Sequence, residues 1–273
     1  MPDSAGLYAA RMSKNPVRLE RNADDGLAEL VLASPPLNLF DRALIDGLID
    51  AVGQVAATPP RALLIRADGK VVSGGVDVEL FDGLDPEAAS LLWDELLTKI
   101  VEPIEQLPAP VVFAAHGLTL TAAFEIALAC DLIVAARSAR FGLVETVVGL
   151  TPSMGGTQRL AERAGSGRAR ELVMTGELFG AEQLERWNVV NRVFDDAEFE
   201  QRSRDLAATL ASGPTRAHAM TKHVVRRYVE GGVGAADHAI RTDAGELFAS
   251  EDLKGAVKTF LERGPGHAKF HNR

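Results

Sequence analysis

Apolar positions recur along this chain in two rhythms, one of period two and one near 3.6, and their alternation predicts the architecture. Val17-Arg18-Leu19-Glu20 alternates, residues 27–33 are mostly apolar apart from Glu29, and Asp24-Asp25-Gly26 lies between, which predicts a hairpin. Beyond Ser34-Pro35-Pro36, Asp41 is placed to cap a helix whose apolar residues Leu44, Ile45, Leu48, Val52 and Val55 keep helical spacing. Residues 61–67 carry the buried-strand run Leu63-Leu64-Ile65. That run leads into a loop with Gly69, Gly74 and Gly75, after which Asp77 can cap a short helix. Residues 86–107 place Leu92, Trp93, Leu96, Leu97, Ile100, Ile104 and Leu107 on one helical stripe, ended by Pro108 and Pro110. A strand over 111–115, an apolar helix around Glu125 and a strand over 132–135 follow, so strand and helix alternate as in an α/β protein.

From Gly155 onward the strand signal fades except at 189–193. Amphipathic helices are predicted over 214–229, 235–248 and 252–262, broken by Gly231-Gly232-Val233-Gly234 and by Ser250. The last two carry Ala244, Leu247, Phe248, Leu253, Val257, Phe260 and Leu261, more apolar surface than a peripheral helix needs. An oligomer interface and an intrachain core both fit that pattern.

Composition narrows the function more than the fold. With 273 residues and 47% hydrophobic content, the chain can bury a full core. A net charge of −9, with no dense basic stripe, argues against nucleic acid as a partner. No run approaches about 18 uninterrupted apolar residues, so a membrane span is not expected. Residues 1–15 read as a flexible tail without a signal sequence. The one cysteine, Cys130, reads as core filler and fits a reducing compartment, and the expected location is cytoplasmic.

The chemistry centres on Glu125, the one charge in the stretch Thr121-Ala122-Ala123-Phe124-Glu125-Ile126-Ala127-Leu128-Ala129-Cys130. A carboxylate there is costly unless paired or protonated. Either a core Arg or Lys neutralises it, or the site uses it, and Glu145 twenty residues on offers a second carboxylate. Walker, GxGxxG and GxSxG patterns are absent, which removes support for nucleotide hydrolysis and for an α/β-hydrolase. Ser73, His116 and Asp131 could be imagined as a triad, and His267 and His271 stand at i,i+4, but common residue types fall into such arrangements by chance. Two places offer free backbone amides: the turn Ser73-Gly74-Gly75-Val76-Asp77 and the start of the Glu125 helix. Two amides converging on one oxygen make an oxyanion hole.

These segments, in this order, resemble the enoyl-CoA hydratase/isomerase (crotonase) superfamily from about Val17 to the C-terminus. The resemblance rests on Pro35-Pro36-Leu37-Asn38, on Ser73 through Val78, on His116-Gly117 through Cys130-Asp131, and on Phe141 through Glu145 with Gly149 through Leu160. It implies an α/β crotonase spiral of strand-strand-helix turns over 16–212, with a helical trimerisation region over 213–273. By the same likeness, the amides of Val76 and Ala122 bind a thioester oxygen while Glu125 and Glu145 act as base and acid. Coenzyme A, as part of the substrate and not a separate cofactor, would lie along Leu37 and Gly75-Val76-Asp77-Val78. Phe260 and Arg263 would reach a neighbouring subunit's coenzyme A in a homotrimer, often doubled to a hexamer. The implied reaction is hydration of a 2-enoyl-CoA, as in fatty acid metabolism; isomerisation of a 3-enoyl-CoA and acyl-CoA binding without catalysis are the alternatives. The chain departs from the family pattern at Thr121-Ala122-Ala123, where glycines are usual, and at His116, Val144 and Ser153. Methyl groups at Ala122 and Ala123 are expected to crowd the thioester.

Overall fold

The computed structural model describes residues 15–22 and 24–273; most of the predicted N-terminal tail lies outside the described residues. The hairpin is present as β1 (Val17–Arg21) and β2 (Leu27–Leu32), paired antiparallel with Val17 opposite Leu32. Asp41 caps α1 (Arg42–Ala57), its carboxylate accepting from the Leu44 amide at 2.8 Å, and Leu44, Ile45, Leu48, Val52 and Val55 are all buried. β3 (Ala62–Ala67) then pairs parallel to β2. Asp77 caps a single 3₁₀ turn, Val78–Phe81.

The helix predicted over 86–107 is interrupted. α2 (Pro86–Leu96), capped by Asp85, passes through a wide π-type turn (Leu97–Val101) before α3 (Glu102–Gln106). Pro103 supplies the reason, because proline has no N–H and its ring clashes with the carbonyl four residues back, here that of Lys99. The Glu102 amide reaches back to the Leu97 carbonyl, and the widened turn absorbs the clash.

Each later turn of the chain gives one strand to each of two sheets. β4 (Val111–Ala115) continues through Gly117 into β5 (Leu118–Leu120), α4 (Ala122–Ala129) follows, and then β6 (Leu132–Ala136) and β7 (Arg140–Gly142) repeat the pattern. Gly117 turns this corner at φ 58°, where a Cβ would stand 2.3 Å from the Lys70 carbonyl, so no side chain fits. After α5 (Gly156–Ala164) and α6 (Ser166–Thr175) come β8 (Phe179–Gly180), α7 (Ala181–Arg186) and β9 (Arg192–Phe194). The larger sheet runs β1-β2-β3-β4-β6-β9 and the smaller β5-β7-β8. Isolated bridges Ser73↔Thr119 and Phe40↔Val76 extend the smaller layer back toward the start of the chain. The result is a spiral of strand-strand-helix turns.

α4 sits in the middle of it, buried at all eight positions, as a helix apolar on every side must be. α8 (Phe199–Ser212), α9 (Thr215–Thr242) and α10 (Glu251–Arg263) form the helical C-terminal region, α9 kinking at the non-helical Gly231 and Gly232. The predicted 235–248 helix ends at Thr242, with a 3₁₀ segment (Ala244–Ala249) completing the span before Ser250 caps α10. Lys222 ties α9 to the core through Asp131 at 2.8 Å and the Ala109 carbonyl at 3.1 Å. Phe248, Val257, Phe260 and Leu261 are exposed on this chain, so an intrachain core does not account for them.

Candidate active site

Glu125 lies on the first turn of α4, and its carboxylate is held by backbone alone. Oε2 accepts from the amides of Met154 and Gly156, each at 2.8 Å, at the start of α5. No arginine or lysine pairs with it among the described residues, which removes the core ion pair as its explanation. The two amides and the positive end of α5 favour the anion, but burial dominates. Burial first, and then the negative charge of Glu145, push Glu125 up to about 8; the amides of Gly156, Met154 and Ser153 pull the other way. Gly156 is required by this contact, since a Cβ there would stand 2.7 Å from Glu125 Cγ and 2.9 Å from Oε2. Arg163, from α5, donates to the carbonyls of Leu128 and Cys130 and so ties down the far end of α4.

Glu145 opens a 3₁₀ turn (Glu145–Val148) closed by Gly149 at φ 75°. Both of its carboxylate oxygens are buried without a hydrogen-bond partner among the described residues, and burial raises its pKa to about 7. A carboxyl group in that setting holds a proton near neutral pH.

The two glutamates line one cavity. Val76 and Ala122 line it too, so the structure brings together all four residues predicted to be catalytic. The loops carrying those two amides are zipped to each other: Ser73 N donates to Leu118 O at 3.1 Å, and Leu120 N to Ser73 O at 3.3 Å. Neither the Val76 nor the Ala122 amide donates a hydrogen bond among the described residues. Thr121 begins α4 at φ 47° and ψ −121°, a conformation that costs a β-branched residue about 1–3 kcal/mol.

The remaining cavity wall is apolar: Phe40, Ile45, Leu80, Phe81, Leu92, Trp93, Leu96, Leu150 and Met154. Leu143, between Phe141 and Glu145, is core and does not line the cavity. Phe40, Ile45 and Leu80 were missed because their side chains carry the same apolar signal as any core residue. Met154 and Gly156 were missed as ligands of Glu125, although the Gly155-Gly156 pair before a helix was the available clue. Of the two alanines expected to crowd the site, only Ala122 faces the cavity; Ala123 is fully buried and does not line it.

Leu37 packs against Gly74, whose amide donates to the Leu37 carbonyl at 2.8 Å. The Gly75 carbonyl accepts from Phe40 N at 3.0 Å, and Asp77 N donates to Phe40 O at 3.1 Å, so Leu37 through Phe40 and Gly75 through Val78 form one rim. Leu37 and Val78 are exposed along it. Phe260 and Arg263 lie exposed on α10 and do not line the cavity. The imagined triad does not assemble: Ser73 Oγ is bonded to Asn38 O, His116 Nε2 to Gly69 O, and Asp131 to Lys222.

Comparison with known proteins gives a single answer. The family model described as enoyl-CoA hydratase/isomerase matches residues 22–272. A Bacillus subtilis protein named "Probable enoyl-CoA hydratase" is 31% identical over 245 residues, 88% of this chain and 94% of that protein. A crotonyl-CoA hydratase of Syntrophomonas wolfei is 30% identical over 244 residues, covering 88% of this chain and 93% of its own length. The crystal structure of an enoyl-CoA hydratase from Geobacillus kaustophilus superposes with a TM-score of 0.88 at 27% identity, covering 96% of this chain and 98% of that one.

Proposed function

Because the chain belongs to the enoyl-CoA hydratase/isomerase family, with the crotonase fold, we propose that it adds water across the double bond of a 2-enoyl-CoA thioester. The observation that carries this reading is the pair of buried carboxyl groups on one apolar cavity, beside two backbone amides with no acceptor among the described residues. Ionised Glu125 takes a proton from water as the water oxygen bonds to Cβ. The Cα–Cβ π electrons shift toward the thioester, whose oxygen becomes an enolate held by the Val76 and Ala122 amides. Protonated Glu145 then gives its proton to Cα, and the enolate electrons form the new C–H bond. The substrate gains H and OH. The proton gained by Glu125 and lost by Glu145 re-equilibrates through solvent.

The arrangement supports each role separately. A carboxylate fixed by two amides is oriented, as a base that must position water needs to be, while an unpartnered carboxyl near pKa 7 suits a proton donor. The apolar wall fits a hydrocarbon acyl chain, and the exposed rim from Leu37 to Val78 is where the coenzyme A portion would run. Exposed Phe248, Val257, Phe260 and Leu261 supply an apolar face for a homotrimer in which Phe260 and Arg263 meet a neighbour's coenzyme A. No helix among the described residues is long and apolar enough to cross a membrane. The experiment that tests this function is 2-enoyl-CoA turnover by the wild type and by Glu125→Gln and Glu145→Gln. Each variant should lose at least about 10²-fold in kcat; near-normal rates in either would defeat the assignment.

A further inference from the structure

Thr121 carries two unrecovered costs beside the proposed oxyanion hole. Its backbone occupies a region in which glycine is the ordinary resident, and its hydroxyl is buried with no hydrogen-bond partner among the described residues. The residue is only 6% exposed. Its side chain has one neighbour that bears on the site. A Cβ built on Gly75 would come within 3.3 Å of Thr121 Oγ1 and 3.8 Å of Cγ2, so both branches face the side of Gly75 from which a side chain would project. Gly75 is itself fixed from other directions, its amide donating to Ser73 Oγ at 3.0 Å and its carbonyl accepting from Phe40 N at 3.0 Å. Thr121 directly precedes Ala122, and Gly75 directly precedes Val76. The two residues that lead into the two amides therefore face each other.

We propose that Thr121 is a positioning residue whose two-branched side chain, facing Gly75, sets the spacing between the Val76 and Ala122 amides. This rests on the reading of those amides as the oxyanion hole. Shape does the work, not the hydroxyl's hydrogen bonding, because the hydroxyl has no partner among the described residues while both branches face the open side of Gly75. Glycine at position 121 would relax the backbone and leave the two loops without a spacer. Valine would keep both branches and remove the orphaned hydroxyl.

The test compares wild type, Thr121→Val, Thr121→Gly and Thr121→Ala by two readouts. One is the absorbance red shift of a bound aryl-conjugated enoyl thioester, which reports polarisation of its carbonyl without needing turnover. The other is kcat and KM measured separately on a 2-enoyl-CoA. Thr121→Val should keep the red shift and a kcat within about threefold of wild type. Thr121→Gly and Thr121→Ala should lose most of the red shift and at least about tenfold in kcat, with KM within about threefold, since a sub-ångström misplacement acts mainly on the transition state. Thermal melting checks that each variant is folded, and should either of the two truncated variants fail to fold, the other carries the prediction. Wild-type red shift and kcat in the truncated variants would overturn the proposal, and so would a Thr121→Val variant as impaired as Thr121→Gly. No red shift in the wild type would instead overturn the oxyanion reading, and the proposal with it, a pattern distinct from a defect confined to position 121.

Discussion

Gly156→Ala is the smallest change that should disable Glu125 without touching it. Gly156 is the first residue of α5, and its amide holds Glu125 Oε2 at 2.8 Å. An added methyl would stand 2.7 Å from Glu125 Cγ where ordinary contact begins near 3.4 Å, so the carboxylate must retreat by about 0.7 Å. Overpacking of this kind costs about 1–3 kcal/mol. Alanine in a helix returns up to about 1 kcal/mol of propensity. The variant should therefore fold, with a stability loss of at most about 2–3 kcal/mol. Catalysis is more sensitive, since a 1 Å misplacement can cost about 10²-fold, and a loss of roughly 30- to 100-fold in kcat follows, with KM little changed. The pH profile adds a second mark. The amides of Gly156 and Met154 hold the Glu125 pKa down against burial. Weakening them raises it further, and because Glu125, at about 8, loses its proton after Glu145, at about 7, the falling limb of activity should move to higher pH. Initial rates of 2-enoyl-CoA hydration between pH 6 and 10 (roughly two units around the expected pKa values) would show both effects. A Gly156→Ala enzyme with wild-type kcat and an unmoved limb would refute the argument that Glu125 position controls the rate.

The same carboxyl pair makes two further predictions. Burial raises Glu145 to about 7 and Glu125 to about 8, and the mechanism needs one proton on the pair in the arrangement that leaves Glu125 ionised, so kcat/KM should trace a bell with its maximum between those values; a flat profile from pH 6 to 9 (roughly a unit beyond each limb) would contradict the pairing. Stability should respond as well. The folded-state pKa of Glu125, about 8, lies above its ordinary value of 4.5, so the folded state binds the proton more tightly and the wild type loses stability as pH rises from about 4.5 to 8. Glu125→Gln has no such group, and denaturant melts should show it gaining on the wild type across that interval, by up to several kcal/mol at about 1.4 kcal/mol per unit. An unchanged stability difference between pH 5 and pH 9 (roughly the two ends of that titration) would contradict the buried-carboxyl account.

Much of this was legible in the chain because long elements with one buried face write their period plainly. The hairpin and α1 with its Asp41 cap are such elements, and in α4 Glu125 stood out because every other residue of the helix is apolar. What escaped has physical reasons. β5 and β7 are three residues long and β8 two, too short to show an alternation, and they become strands only by pairing with each other. Val189 and Val190 read as strand because they are buried, yet both amides bond to the Leu184 carbonyl in a turn, and pairing begins only at Arg192. The π-type turn before Pro103 and the continuation of α9 past Gly231-Gly232 depend on how neighbouring turns pack. In the site, residue identity located Glu125 and Glu145, but the tilt of both toward one cavity, and the amides that hold only one of them, are tertiary facts.

The most direct test of the central claim is the loss of enoyl-thioester absorbance when purified protein meets a series of 2-enoyl-CoA substrates, with Glu145→Gln run alongside. Turnover by the wild type that falls at least about 10²-fold in the variant is the predicted result. Absence of turnover at every chain length, or equal turnover by the variant, would contradict it.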